Sequence, residues 1–477
     1  MRVRGVAFLY ACNSGQSDRL DIPAVRLSGP SPFAGCAVGG PGLGYPNAEV
    51  ETCVDANPLT IGTGRVNLIA VWQQDRWSNG GARGLVAGYS FDNGRTWDST
   101  PLPFSACAGG LRFERASDPW VSFGPDGTAF AAGLLFSGPA AVARQRAIAA
   151  ATSSDGGVTW RNVRIIKIDG ERFFDDKGTV TADPARAGTA YVVWHRVDLA
   201  DRTGPTWFAA TEDGGRTWSE AQVIFDPGKG NQTIGNQIVI DPCTGVLYNF
   251  CNWIIRNCRD RNFGANAAFQ CSLDGGRTWS APRIIAEMRP VGVVDPNTDL
   301  PIRTGVAIPE PAIDPLRGTL YVVWEDARFS GGKFDEIALI ESADGGKHWT
   351  EPARVNRPTG RPAFTPMVRV NYRGVVGVTY YDFRNLTTEV TTLPTDYWLA
   401  ESADQGESFS REAHLAGPFD LLSAPLVSNG FFLGDYQGLV PVGASFTSVF
   451  VQANTGDKLN PTDVFAATVD PGDWRDS

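Results

Sequence analysis

Ser272-Leu273-Asp274-Gly275-Gly276-Arg277-Thr278-Trp279 is one of six copies of a box, S-x-D-x-G-x-T-W, spread along the 477-residue chain. The others occupy 90–97, 153–160, 211–218, 342–349 and, with Phe409 in place of the tryptophan, 402–409. Their aspartates (Asp92, Asp155, Asp213, Asp274, Asp344 and Asp404) lie 63, 58, 61, 70 and 60 residues apart, so one supersecondary unit of about 60 residues is repeated. Short apolar runs flank each box, such as Gly84–Tyr89 before the first and Val163–Ile166 after the second. An Asp-Gly or Asn-Gly turn between two such runs predicts a β-hairpin, with glycine taking positive φ and the aspartate accepting main-chain N–H groups. The box therefore reads as a hairpin staple whose aromatic residue packs over the joint between neighbouring sheets, and its aspartate as structural.

A second recurring hairpin precedes each box, as in Ile238–Tyr248, Pro311–Trp324 and Val180–Trp194, each turning at an Asp-Pro and a later glycine. Each unit then holds four strands, which predicts an all-β chain: a β-propeller of four-stranded blades. After the sixth box come one more first hairpin and a third strand, Asp463–Thr468, without a box. Pro23–Ser28 matches the strands that follow boxes elsewhere. The expectation is seven blades, the last closed by this N-terminal strand, with six blades as the alternative. The chain divides into an N-terminal segment, 1–22, and a single propeller domain, 23–477.

Composition agrees: 54 glycines, 32 prolines, 14 tryptophans and no long helical periodicity. A net charge of −10 argues against a nucleic-acid or anionic-membrane partner, which needs a positive face. No segment is long and apolar enough for a transmembrane span. Arg2 and Arg4 followed by an apolar run to Cys12 read as a lipoprotein-type leader with a lipid anchor at Cys12, or else as a first strand. The expected location is extracellular, secreted or at a bacterial cell surface, and the expected state a monomer. Export permits disulfides, and Cys243 with Cys271 is the candidate pair, since both should lie at the box end of one blade. Cysteine spacing argues against zinc, and neither a metal nor a cofactor is called for.

With the boxes at one end of the ring, functional groups are expected at the other, where innermost strands begin and second strands end. The starts carry Glu49, Glu51, Asp118, Asp175, Asp176 with Lys177, Glu310, and Asp435 with Tyr436; the ends carry Asp75-Arg76, His195, Asp326 with Arg328, and Asp382 with Arg384. Carboxylates, arginines and aromatics at one mouth suit glycoside chemistry, which takes a proton donor, an anionic or phenolic nucleophile and a stacking face. The recurring Asp/Arg pairs read first as structural salt bridges between adjacent blades and second as ligand contacts.

By its six boxes the chain resembles the bacterial neuraminidase repeat, or sialidase-like, superfamily, over roughly residues 45 to 410. The resemblance implies a propeller and, for the enzymes of that superfamily, hydrolysis of terminal sialic acids by a tyrosine–glutamate pair, an aspartate acid/base and three arginines clamping the sugar carboxylate. Carried onto this chain, it suggests Arg76, Arg328 and Arg384 as clamp, Tyr381 or Tyr436 as nucleophile, Glu310 as its partner and Asp118 as acid/base; Glu51, Asp176 and Asp435 are expected as substrate contacts from their place at the strand starts. The superfamily's [F/Y]-R-I-P segment has no counterpart near the first blade; Leu300-Pro301-Ile302-Arg303 lies far downstream and in another order. The function expected is an exported sialidase-like glycoside hydrolase acting on a glycan. The alternatives are a non-catalytic glycan- or protein-binding propeller and a polysaccharide lyase, for which His195 could serve as base.

Overall fold

The computed structural model describes residues 20–38, 40–257, 259–260 and 262–475. Regular structure is almost entirely β, in four-stranded antiparallel meanders of the kind that make propeller blades. The first comprises Glu49–Ala56, Leu68–Arg76, Ala82–Ser90 and Asp98–Pro101; the second, Arg115–Phe123, Ala129–Phe136, Gln145–Ser153 and Arg161–Gly170. A single pairing, Ala82 with Ala116, joins these two. The third runs Phe173–Ala182, Ala190–Asp198, Thr206–Thr211 and Gln222–Phe225; the fourth, Gln232–Ile240, Leu247–Ile254, Ala265–Ser272 and Arg283–Met288. The fifth holds Glu310–Ile313, Leu320–Asp326, Glu336–Ser342 and Ala353–Arg354. The sixth holds Ala363–Val370, Val376–Asp382, Pro394–Ser402 and Arg411–Asp420, with Leu20–Asp21 added in parallel at its outer edge.

The seventh sheet takes three strands from the C-terminal end, Gly438–Val442, Ser445–Ala453 and Thr462–Val469, and its fourth, Val25–Arg26, from the N-terminal side. Arg26 and Ser28 fasten that edge, both bonding Asp463 Oδ1 at 2.6 and 2.7 Å. The first strand of the first sheet packs against the first strands of both the second and the seventh.

Burial follows position. Ala129–Phe136 and Leu68–Arg76 are buried along their whole length because neighbouring sheets cover both faces, whereas the outer strand Arg161–Gly170 is mostly exposed or half-buried. Inner strands accordingly read as continuous apolar runs rather than as alternating ones.

Each box is a hairpin staple. In the fourth, Asp274 Oδ1 accepts from Thr278 N (2.8 Å), Oδ2 from Thr278 Oγ1 (2.6 Å), and Ser272 Oγ accepts from Gly276 N (2.9 Å). These donors hold the Asp274 carboxyl down to about 2. The second glycine presses on the preceding sheet: a Cβ on Gly276 would lie 2.3 Å from Phe208 Cζ, and one on Gly346 2.4 Å from Phe269 Cζ. Trp279 and Trp349 stack edge-on against the same two phenylalanines. Glycine is required there for space as well as for its positive φ.

The disulfide expectation is corrected. Cys36 pairs with Cys107, while Cys243 and Cys271 are free. Cys271 lies within a strand opposite Tyr248, whereas Cys243 projects from the exposed Asp241–Gly245 turn, so a shared end of the sheet does not bring the thiols together. The leader with Cys12 lies outside the described residues. No helix among the described residues is long and apolar enough to cross a membrane.

Candidate active site

The innermost strands begin at the face opposite the boxes, and they begin irregularly. Register shifts interrupt the ladder between Val50 and Cys53, Ser117 and Trp120, Asp176 and Thr179, Ile234 and Gln237, and Phe364 and Met367. In each gap one residue takes positive φ: Glu51 (55°), Asp118 (52°), Lys177 (48°), Gly235 (68°) and Thr365 (51°). A β-bulge re-aims the side chain it carries, and a non-glycine residue there costs about 1–2 kcal/mol. Three of the five are charged, so the fold bears that cost where it gathers charge.

Three carboxyl groups at these bulges, Glu51, Asp118 and Asp176, meet Asp435, which follows the strand Gly430–Phe432. Asp176 Oδ1 accepts the same Lys177 main-chain N–H that Asp118 does (3.1 Å), and the Glu51 main-chain N–H bonds the Leu433 carbonyl, two residues before Asp435 (3.2 Å). Arg303 grips Asp435 with both prongs, Nε to Oδ1 at 3.1 Å and Nη2 to Oδ2 at 2.5 Å. Arg76 donates to Gln73 Oε1 at 2.6 Å, and Gln73 donates in turn to Glu51 Oε2. Both guanidinium groups lie over Phe432, at 4.4 Å for Arg303 and 5.0 Å for Arg76. Asp118 Oδ2 accepts the Lys177 main-chain N–H at 3.0 Å, and the Lys177 ammonium sits over the rings of Tyr436 and Trp120.

Electrostatics divides the carboxyls. Burial, then the charges of Asp118 and Asp435, push Asp176 well above the usual carboxylate range, and the same causes act on Glu51. Burial also pushes Asp435 upward, but the charge and hydrogen bonds of Arg303 outweigh it and hold the group below its ordinary value. Burial and the neighbouring Arg303 bring Arg76 down to about 10. Asp176, Asp435 and Arg303 remain partly exposed, while Glu51, Asp118 and Lys177 are buried behind them. Over this face lies a small sheet of Val293–Val294, Pro301–Arg303, Gly430–Phe432 and Leu426–Val427, which delivers Arg303 and leads into Asp435.

Of the residues singled out in the sequence, Glu51, Arg76, Asp118, Asp176, Asp435 and Tyr436 meet here. Tyr436 Oη donates to the Pro119 carbonyl at 3.2 Å. Glu310 is buried one step deeper and takes a bond from Gln237 at 2.6 Å. Arg328 and Arg384 do not join Arg76. Arg328 forks onto Asp326 (2.8 Å on both oxygens) and reaches the Glu287 carbonyl; Arg384 bridges Asp382 and Glu412, at 2.6 Å each, over Trp398. Tyr381 is likewise apart, stacked on Phe364 and donating to the Val451 carbonyl at 2.7 Å. His195 is buried against Gly204, its pKa pushed down to about 3 by burial. The sequence reading missed Arg303, Gln73 and Trp120; a Pro-Ile-Arg run between two boxes was the one signal for the first. Among the described residues, no group of three or more His, Cys, Asp or Glu side chains is placed to hold a metal ion.

No family model and no curated protein matches the chain. It is similar to several solved structures. One is an α-L-arabinanase of Penicillium chrysogenum complexed with arabinobiose, at 12 % identity over 91 % of this chain and 98 % of that one, TM-score 0.44. Another is a Hadza microbial sialidase, at 17 % over 87 % and 75 %, TM-score 0.48. A third is an α-L-arabinofuranosidase of Fusarium graminearum with arabinobiose, at 11 % over 94 % and 97 %, TM-score 0.46. At these identities the likeness concerns the fold and none of the individual residues.

Proposed function

We propose that this protein is a glycoside hydrolase working at the mouth opposite the boxes. The observation that carries the reading is the two pairs of neighbouring carboxyls, Asp118 with Asp176 on one Lys177 N–H and Glu51 with Asp435, whose partly exposed members, Asp176 and Asp435, environment drives in opposite directions. Two carboxyl groups poised as acid and base are the requirement of glycosidic cleavage. In this reading Asp176, protonated, delivers its proton to the leaving oxygen, and Asp435, ionised and oriented by Arg303, acts on the opposite side as base or nucleophile. Asp118 and Glu51 set the protonation of their partners. The phenols do not fit a nucleophile's role, because Tyr436 and Tyr381 donate their hydrogens to main-chain carbonyls.

The architecture proposed with it is a seven-bladed ring closed by Val25–Arg26, supported by the seven meanders and by the packing of the first sheet against the seventh. Export is part of the proposal, supported by the Cys36–Cys107 disulfide. Arg303 is already satisfied by Asp435, and Arg76, 3 % exposed, lies too deep to offer its fork to a sugar carboxylate, so a neutral terminal sugar is the expected substrate.

The test is turnover of aryl glycosides of neutral sugars beside an aryl α-sialoside. Asp176→Asn and Asp435→Asn are each expected to lower kcat by about 10²–10⁴-fold with KM changed far less. Asp176→Asn should also abolish the alkaline limb of the pH profile. Silence of the unaltered protein across the panel would reject hydrolysis and leave a binding propeller; sialoside turnover alone would reject the neutral sugar.

A further inference from the structure

The strands that start in the mouth cluster end at the box face, where they enclose a second cavity of about 290 Å³. Its size is at the lower limit for small-molecule sites. Trp120 and Gln237 line its inner end, between the cavity and the layer of Lys177 and Glu310. The walls are largely apolar, and only two lining residues carry charge, Asp55 and Arg369. Counted from the bulges, both stand at one register level, where other strands place Ser122, Thr181 and Val239.

Arg369 is held through Nη1 alone: to the Val368 carbonyl at 2.8 Å, the Met367 sulfur at 3.2 Å and the Pro311 carbonyl at 3.4 Å. None of these is a carboxylate. Asp55 faces the same cavity, but its oxygens already accept the amide N–H groups of Phe123 (2.7 Å) and Ala56 (2.8 Å). Burial raises its pKa to about 6 against the charge of Arg369, so it is mostly ionised at neutrality, but its oxygens are spent on those two amides and make no ion-pair contact with the guanidinium. A half-buried guanidinium on an apolar wall without a carboxylate partner favours an anion that can bring its own apolar body.

We propose that this cavity binds a small monocarboxylate, its carboxylate on the Arg369 guanidinium and its apolar body against the strand walls above Trp120. The site is separate from the mouth and does not depend on the glycosidase reading. Its test is isothermal titration calorimetry of the full chain with phenylacetate as the probe and phenylacetamide as its neutral counterpart. Saturable binding of the acid is expected, weakened at least about tenfold in the amide and in Arg369→Gln, with Arg369→Lys between. Equal affinity for acid and amide overturns the proposal on the unaltered protein alone, whatever the variants do. So does undiminished binding by an Arg369→Gln protein, or no binding of phenylacetate at millimolar concentration.

Discussion

Glu325, at the end of its strand beneath the mouth, is 1 % exposed and accepts from Thr304 Oγ1 at 2.8 Å and Thr365 N at 2.9 Å. Burial, then the charge of Asp335, raises its pKa from 4.5 to about 8. The folded state therefore keeps a proton that the unfolded chain loses, and the associated stability, complete below pH 4.5, drains away as pH rises toward 8. The slope is at most about 1.4 kcal/mol per pH unit. Glu325→Gln, neutral throughout, should melt progressively above the unaltered protein across that interval; parallel Tm-versus-pH curves would refute the shift. At this scale the sequence was informative where a charged residue opens an apolar run, as with Asp118, Asp176 and Asp435. For Arg303 it offered only a Pro-Ile-Arg run, because that side chain arrives on an inserted strand whose partner, Gly430–Phe432, lies more than a hundred residues away, and nothing local marks the pairing.

Among the elements, the box was the most legible, since its hydrogen bonds close within seven or eight residues and need no distant partner. Its second glycine carries information the sequence could not, because the surface it meets belongs to the preceding sheet. Gly346→Ala places a methyl group against Phe269 at φ 85° and should cost about 2–4 kcal/mol, combining left-handed strain with overpacking. Gly214→Ala, at φ 73° with no atom within 4 Å, carries the strain alone and should cost about 1–2 kcal/mol. Urea unfolding of the two variants measures the difference; equal losses would mean that the joint between sheets contributes nothing. The bulged strand starts escaped sequence reading, since Glu51, Lys177 and Thr365 are residue types that do not advertise positive φ.

For the whole molecule, the Cys36–Cys107 disulfide closes a separation of 71 residues across the first sheet, and the loop-entropy relation assigns it about 4 kcal/mol. A Cys36→Ser/Cys107→Ser protein should lose several degrees of Tm, and reductant should lower the unaltered protein to match; an unmoved Tm under full reduction would show the bridge idle. Cysteine pairing was read from strand ends, whereas the bond that forms joins two irregular segments that no periodicity places. The N-terminal strand, by contrast, was legible because its apolar pattern matched that of the other fourth strands. Its pairing has a consequence for biosynthesis. Leu27 bonds Val464, so the last sheet cannot be completed until more than four hundred further residues have left the ribosome. At ordinary elongation rates that is roughly 20–90 s during which Val25–Arg26 and the inner strand of the first sheet, Glu49–Ala56, are already made but lack their partners from the last sheet. Completion of the fold is a late event, after most of the chain has already been made, and the nascent protein spends that interval with open edges that other strands can capture.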